Sequence, residues 1–272
     1  MAYLTEPIPA YGKTIVVAPG IRRVVARNPS LMTYHGTNTY LVETPDGTIV
    51  IDPGPDDAEH VAAVLNALDG PPAALLLTHS HRDHSGAVST LRAATGAPLW
   101  TFHAPTDPSL EPDGRMQDGG TLAGLVAIHT PGHASDHICI SHPSGILFSG
   151  DHVMSWSSSI VSRPDGDMAA YMASLVRIMA RDHDALLPGH GPILRQPRDF
   201  IADLLRHRHE RERAILDLVR ESALPPACIA KKLYANRDIR LQPAAQRNVL
   251  AHLAKLESEG LVARSEDRWL AT

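Results

Sequence analysis

The chain has 272 residues, 43% hydrophobic and 20% charged, which is enough for a full core plus a small second unit and excludes a disordered chain. Phe, Trp and Tyr make up only 4%, so an aromatic platform for stacking single-stranded nucleic acid is not the first expectation. The net charge of -5 is uneven: residues 1–205 carry 12 Lys/Arg against 21 Asp/Glu, and residues 206–272 carry 13 against 9, so a division at 205/206 is expected.

Met1–Pro7 carries an acid and a proline where an export signal would carry basic and then apolar residues. No run of 18 apolar residues follows anywhere, and Cys139 and Cys228 are too few for a disulfide framework. The expectation is a cytoplasmic protein without a membrane span. Short β-like runs, Thr14–Ala18 and Ile21–Ala26, precede a hairpin signal in which Thr39–Glu43 and Thr48–Asp52 flank Pro45-Asp46-Gly47. Asp52 ends the second run, as a turn cap or as a carboxylate aimed at a site.

Ala58–Leu68 reads as a helix and Ala73–Leu77 as a buried strand. That strand stops in Thr78-His79-Ser80-His81-Arg82-Asp83-His84, in a chain with 16 histidines. His79 and His81 are two apart, so an extended backbone turns both to one side, while Asp83 and His84 fall where the chain bends into the next element. Imidazole and carboxylate without thiolate suit zinc, with iron and manganese as alternatives, and one stretch could serve two neighbouring ions.

A helix over Gly86–Thr95, a strand over Pro98–Phe102 and an exposed loop over Ala104–Gly120 that borders the cleft are expected next. Further short β runs, Leu125–His129, Ile138–Ile140, Gly145–Phe148 and Asp184–Pro188, bracket a helix over Met168–Arg181. His133, Asp151 and His190 each sit beside glycine near the end of such a run, where tight turns bring backbone close to a ligand. From Phe200 the texture is helical: Phe200–Glu221 with a charged, mostly solvated section Arg206–Arg213, then Ala227–Tyr234, Pro243–Glu259 and a ribbon over Leu261–Leu270. Three helices and a hairpin make a winged-helix pattern. Its charge is only modestly positive, with Arg247 and Lys255 offset by Glu257 and Glu259, which disfavours duplex DNA and leaves a protein or self-association surface, including a homo-oligomer, or a lid over the site.

The His79–His84 stretch resembles the His-x-His-x-Asp-His signature of the metallo-β-lactamase superfamily, with Asp52, His133, Asp151 and His190 in the places of its other motifs. Ser159–Met168, Tyr171 and Ser174-Leu175 are similar to the lactamase-β-like protein 2 group, whose members carry a C-terminal winged helix. The resemblance implies an α+β fold, a four-layered αβ/βα sandwich of two mixed sheets, followed by a small winged-helix domain. It implies that His79, His81 and His133 hold one zinc ion, that Asp83, His84 and His190 hold a second, and that Asp151 bridges them. Asp52 corresponds to a carboxylate that orients a ligand histidine from outside.

The expected activity is hydrolysis by a hydroxide shared between the two ions, with Asp83 and Asp151 guiding its proton. Candidate substrates are a phosphodiester or single-stranded RNA, a thioester or lactone as in glyoxalase II-like enzymes, and a β-lactam as a weak side reaction. The reading from another class is a winged-helix regulator that binds nucleic acid.

Overall fold

In the hairpin at residues 38–51, alternate side chains leave the backbone on opposite faces, and this alternation sets the layers: Tyr40 and Val42 enter one core, Leu41 another. The computed structural model describes residues 2–236 and 238–272. Among these, the strands β1 (Thr14–Ala18), β2 (Ile21–Val25), β3 (Asn38–Thr44), β4 (Gly47–Ile51), β5 (Ala74–Leu76), β6 (Leu99–Phe102) and β7 (Gly114–Met116) form one sheet in sequence order. A second sheet is built from β8 (Thr121–Leu122), β9 (Leu125–His129), β10 (Ile138–Ser141), β11 (Ile146–Gly150), β12 (Ala185–Pro188) and β13 (Leu194–Arg195). Both sheets are mixed: β4 to β7 run parallel to their neighbours, as do β11 and β12, while the other pairs are antiparallel.

The two sheets face each other across a core that includes Ile21, Tyr40, Ile51 and Leu76 from one and Ile138, Ile140, Phe148 and Leu187 from the other. Tyr40 and Phe148 meet edge to face with centroids 5.2 Å apart. Each buried side chain of this size contributes about 1.5–3 kcal/mol. The outer face of the first sheet is covered by α1 (Ala58–Asn66) and α3 (Val88–Thr95), which follows a single turn, α2 (Arg82–Ser85). The outer face of the second is covered by α4 (Met168–Met179) and the first half of α5 (Arg198–Glu221). Asp57 and Asp167 cap α1 and α4 by accepting from the backbone N–H of His60 and Ala170. This is the four-layered sandwich expected from the resemblance.

The second half of α5 joins α6 (Pro226–Leu233), α7 (Gln242–Ser258) and the ribbon β14 (Val262–Ser265) and β15 (Arg268–Ala271) around Ile215, Val219, Val249, Leu253 and Trp269. The helix α5 runs unbroken through 205/206, with Ile201 and Leu204 in the sandwich core and Ile215 and Val219 in the winged-helix core.

One expectation changes. The segment 104–120 is not all loop: β7 lies in it, paired with β6, and Gly114 lets the Trp100 ring lie where a Cβ would stand 2.4 Å away. With only Met116 as a buried apolar side chain, that strand carries almost no periodic signal. None of the segment lines the metal cavity described below. The charged section of α5 is mostly solvated, as expected, but within it Arg208 is only 2% exposed. Among the described residues no helix is long and apolar enough to cross a membrane.

Candidate metal centre

The parallel pairs β4/β5 and β11/β12 end at one edge of the sandwich, and their C-terminal ends carry the polar residues. Asp52 follows β4, His79 and His81 follow β5, Asp151 follows β11 and His190 follows β12; His133 comes from the β9–β10 connection, and Asp83 and His84 from α2. Close approach at this edge requires glycine: a Cβ on Gly189 would lie 2.6 Å from both Asp151 Oδ1 and His84 Cε1.

Three overlapping groups of donor atoms result, His79/His81/His133, His79/His84/Asp151 and Asp83/His84/His190, each with its atoms within 4.8 Å of one another. His81 Nδ1 stands 3.0 Å from both His79 Nε2 and His133 Nε2. His190 Nε2 lies 3.2 Å from Asp83 Oδ2, and His84 Nε2 lies 3.7 Å from the same oxygen. Asp151 stands between the groups: Oδ2 is 3.6 Å from His133 Nε2, while Oδ1 is 3.5 Å from His84 Nε2 and from His190 Nε2.

The outward nitrogens decide where the protons sit. His133 Nδ1 donates to Ile160 O at 2.7 Å, and His190 Nδ1 donates to Gly36 O at 3.2 Å. His84 Nδ1 donates to Asp52 Oδ2 at 2.9 Å. His79 Nδ1 lies 3.0 Å from Thr78 Oγ1, whose own proton goes to Asp52 Oδ2, so the imidazole is the donor. In the neutral rings the proton therefore sits outward, and the inward nitrogen is the one left for a cation or for a second proton. His84 Nε2 and Asp151 Oδ1 are buried with no hydrogen-bond partner. Imidazole nitrogens and carboxylate oxygens that converge on one point are a set that cations satisfy.

Electrostatics agree. Burial, reinforced by neighbouring histidines, holds His79 well below the usual imidazole range and His81 at about 4, so both are neutral donors. Burial opposes charge at His84 and His190 too, but the carboxylates outweigh it and raise His84 well above its usual value and His190 to about 9. Burial likewise opposes ionisation of Asp83 and Asp151, yet His84 and His190 hold both carboxyl groups below their usual range. Without cations, protons on His84 and His190 balance the two carboxylates, and a divalent ion would displace them.

Asp52 takes φ 50°, a left-handed conformation uncommon for a residue with a side chain. It is held by Thr78 N and Thr78 Oγ1, each donating at 2.8 Å, and so presents its remaining lone pairs to His84. All seven expected donors, and Asp52 behind them, meet at this edge, whereas His103 is exposed away from it. Sequence reasoning missed the outer supports. Ile160 and Gly36 act through backbone carbonyls, which leave no signature, and His137 Nε2 accepts from Asp151 N at 3.2 Å while its Nδ1 meets Thr130 Oγ1. Its position four residues after His133 was the one available signal.

The winged-helix unit also reaches this edge. Asn248 Oδ1 of α7 accepts from Val161 N at 3.0 Å, and Arg208 of α5 donates to Ser159 O while lying 4.9 Å over the Tyr171 ring. Ser159 Oγ in turn donates to Asp151 O. A cavity of about 420 Å³ opens over the donors, walled by Met32, Met154, Ile160 and Pro164 and bordered by Arg163 and Arg247.

A sandwich of this topology with a His/Asp cluster at its edge defines a metallo-β-lactamase-type hydrolase fold. The Metallo-beta-lactamase superfamily profile matches residues 32–190, and the Beta-lactamase associated winged helix domain profile matches residues 225–269; the chain belongs to that superfamily. It is 34% identical over 90% of its length to the Beta-lactamase-like protein 2 homolog of Drosophila melanogaster, covering 91% of that protein. It is 33% identical to an Atrochrysone carboxyl ACP thioesterase of Aspergillus chevalieri, with 76% of this chain and 68% of the relative covered. Among solved structures, a beta-lactamase domain protein from Burkholderia ambifaria superposes with a TM-score of 0.86 at 24% identity, covering 98% of this chain and 96% of that one.

Proposed function

We propose that the chain is a two-metal hydrolase of acyl thioesters, with His79, His81 and His133 holding one cation, Asp83, His84 and His190 the other, and Asp151 facing both. The observation that carries the metal reading is the convergence of seven His and Asp donors, with the rings turned by outward hydrogen bonds and with His84 Nε2 and Asp151 Oδ1 buried without a hydrogen-bond partner. Zinc suits this donor set, with iron or manganese as alternatives. Two such cations, when bound, supply Lewis acidity and lower the pKa of water to about 7.

The chain's own contribution is positional. Asp151 offers one oxygen to each group, and the backbone N–H of Asp151 is held by His137. Asp83 is 31% exposed and lines the cavity, which places its carboxylate to take a proton from attacking water. The apolar walls limit competing water. The thioester is put ahead of a phosphodiester, single-stranded RNA or lactone because a relative aligned over three quarters of the chain is named a thioesterase. The winged helix, in this reading, walls the cleft: Arg247 on α7 lines the cavity, which favours that role over reading duplex DNA.

Elemental analysis of the purified protein should find close to two metal ions per chain. A stoichiometry near one that added zinc does not raise would overturn the two-metal assignment. Side-by-side turnover of acyl thioesters, lactones, single-stranded RNA, bis(p-nitrophenyl) phosphate and a chromogenic β-lactam should favour the thioesters; a larger kcat/KM for either phosphodiester would overturn the substrate assignment.

A further inference from the structure

The rim of the metal cavity contains two arginines from different parts of the fold. Arg163 comes from the segment after β11, and Arg247 from α7 of the winged-helix unit. They flank the same interdomain contact: Asn248, next to Arg247, accepts from the N–H of Val161, two residues before Arg163. That bond between buried residues holds α7 against the 159–163 segment, so the two arginines are carried on one continuous rim.

Both arginines are exposed, and neither guanidinium has an ion-pair or hydrogen-bond partner among the described residues. Asp165, the nearest acid in sequence to Arg163 on that wall, is instead engaged by the backbone and hydroxyl of Ser135. The charge balance completes the argument. With its histidines neutral, as cation ligands must be, the cavity wall carries three carboxylates, Asp83, Asp151 and Asp165, against these two guanidinium groups, a net of one negative charge. Two divalent cations would turn that into three positive charges, and such a cleft attracts anions.

We propose that Arg163 and Arg247 form a phosphate-recognition subsite at the mouth of the metal cleft, and that the natural substrate is a phosphate-bearing acyl thioester. The thioester half of this statement rests on the function proposed above; the phosphate half rests on the rim alone. Guanidinium groups suit a phosphate because they donate in a planar fork, and a cavity of about 420 Å³ has room for the scissile group and a linker to it. The winged helix then acts as a specificity element, supplying one of the two cations.

The test uses the zinc-loaded full chain and two matched pairs of probes. S-butyl-4′-phosphopantetheine and S-butylpantetheine are non-hydrolysable thioethers that differ only in the phosphate, and the corresponding S-butyryl thioesters report turnover. By calorimetry the protein should bind the phosphorylated thioether at least roughly tenfold more tightly, and Arg163→Ala and Arg247→Ala should each remove a large part of that ratio. The double variant should bring it near one. Because the ratio is internal to each variant, loss of folded protein cancels. The thioesters should show the same preference, expressed in KM.

Equal binding of the two thioethers, or a preference that survives in the double variant because the phosphate sits on the metals, overturns the subsite. Thioether discrimination without any thioester turnover would uphold the subsite and overturn the thioesterase reading. Thioester turnover with no phosphate preference would do the reverse. Cleavage of single-stranded RNA that falls in the double variant, without thioether discrimination, would assign the arginines to a polynucleotide and overturn the proposal.

Discussion

The His79/His81/His133 group and the Asp83/His84/His190 group use similar residues but are held from different directions. His84 is backed by Asp52 and Thr78, which lie at the ends of adjacent strands of the first sheet. His190 is backed by Gly36 O, also within the sandwich. In the first group His79 shares the Thr78 hydroxyl, but His133 depends on Ile160 O. Ile160 lies between Ser159, bonded to Arg208 of α5, and Val161, bonded to Asn248 of α7. The partners behind His84 and His190 thus belong to the sandwich, whereas the carbonyl behind His133 belongs to a segment bonded to the winged-helix unit on both sides. The comparison teaches that an appended domain can brace a candidate ligand through a shared backbone segment without supplying a donor of its own.

The largest effect should come from the residue common to both groups. Loss of an outer partner of a metal ligand costs about 10-fold to 100-fold in affinity or activity. Asp151→Ala removes a carboxylate facing both groups, so kcat/KM should fall by more than that and metal content should drop in both. Retention of two metals and normal turnover would remove the basis of the comparison.

Asp52→Asn keeps the volume but takes the charge from behind His84, and the cost should fall in the range of about 10-fold to 100-fold. Cobalt titration of the metal-free protein, followed by visible absorption, should show the Asp83 group weakened first. Metal loss as complete as in Asp151→Ala would make Asp52 a ligand in its own right.

Arg208→Met and Asn248→Ala test the other support. Each leaves a buried backbone group unpaired, Ser159 O or Val161 N, at a cost to stability of about 1–3 kcal/mol. The same titration should show weakening of the three-histidine group, by less than about tenfold, since the ligands themselves remain. If the Asp83 group weakened instead, the division between the two supports would be wrong.

The smallest effect concerns the anchor itself. His252, one turn beyond Asn248 on α7, is buried near Glu212, Arg208 and Lys255, and burial lowers its pKa to about 4 even though Glu212 opposes the shift. The unfolded chain takes up that proton first, near 6.5, so this contribution to stability is complete above about 6.5 and is lost as pH falls toward 4. Between pH 7.5 and 5 the loss should be about 2 kcal/mol. In His252→Gln, denaturant unfolding at the two pH values should show a shallower decline than in the parent chain; parallel declines would show that His252 is not the group responsible.

Much of this site was legible before folding, because donor chemistry belongs to side chains. The His79–His84 stretch, Asp52, His133, Asp151 and His190 announce themselves by residue type beside glycine and at strand ends, and the hairpin alternation marks the two faces of a sheet. The sequence by itself thus determined which donor groups the candidate site contains and which elements carry them. It could not show what stands behind those atoms. Ile160 O and Gly36 O are carbonyls that every residue has, β7 is paired through its backbone with one large apolar side chain, and Arg208 sits in a run that reads as solvated charge. Only the tertiary structure brought Arg208 to Ser159, 49 residues away, and Arg247 to the rim of a cleft built from other elements. The physical reason is that residue identity sets what a group can do, while the partner it meets is decided by packing between segments distant in the chain.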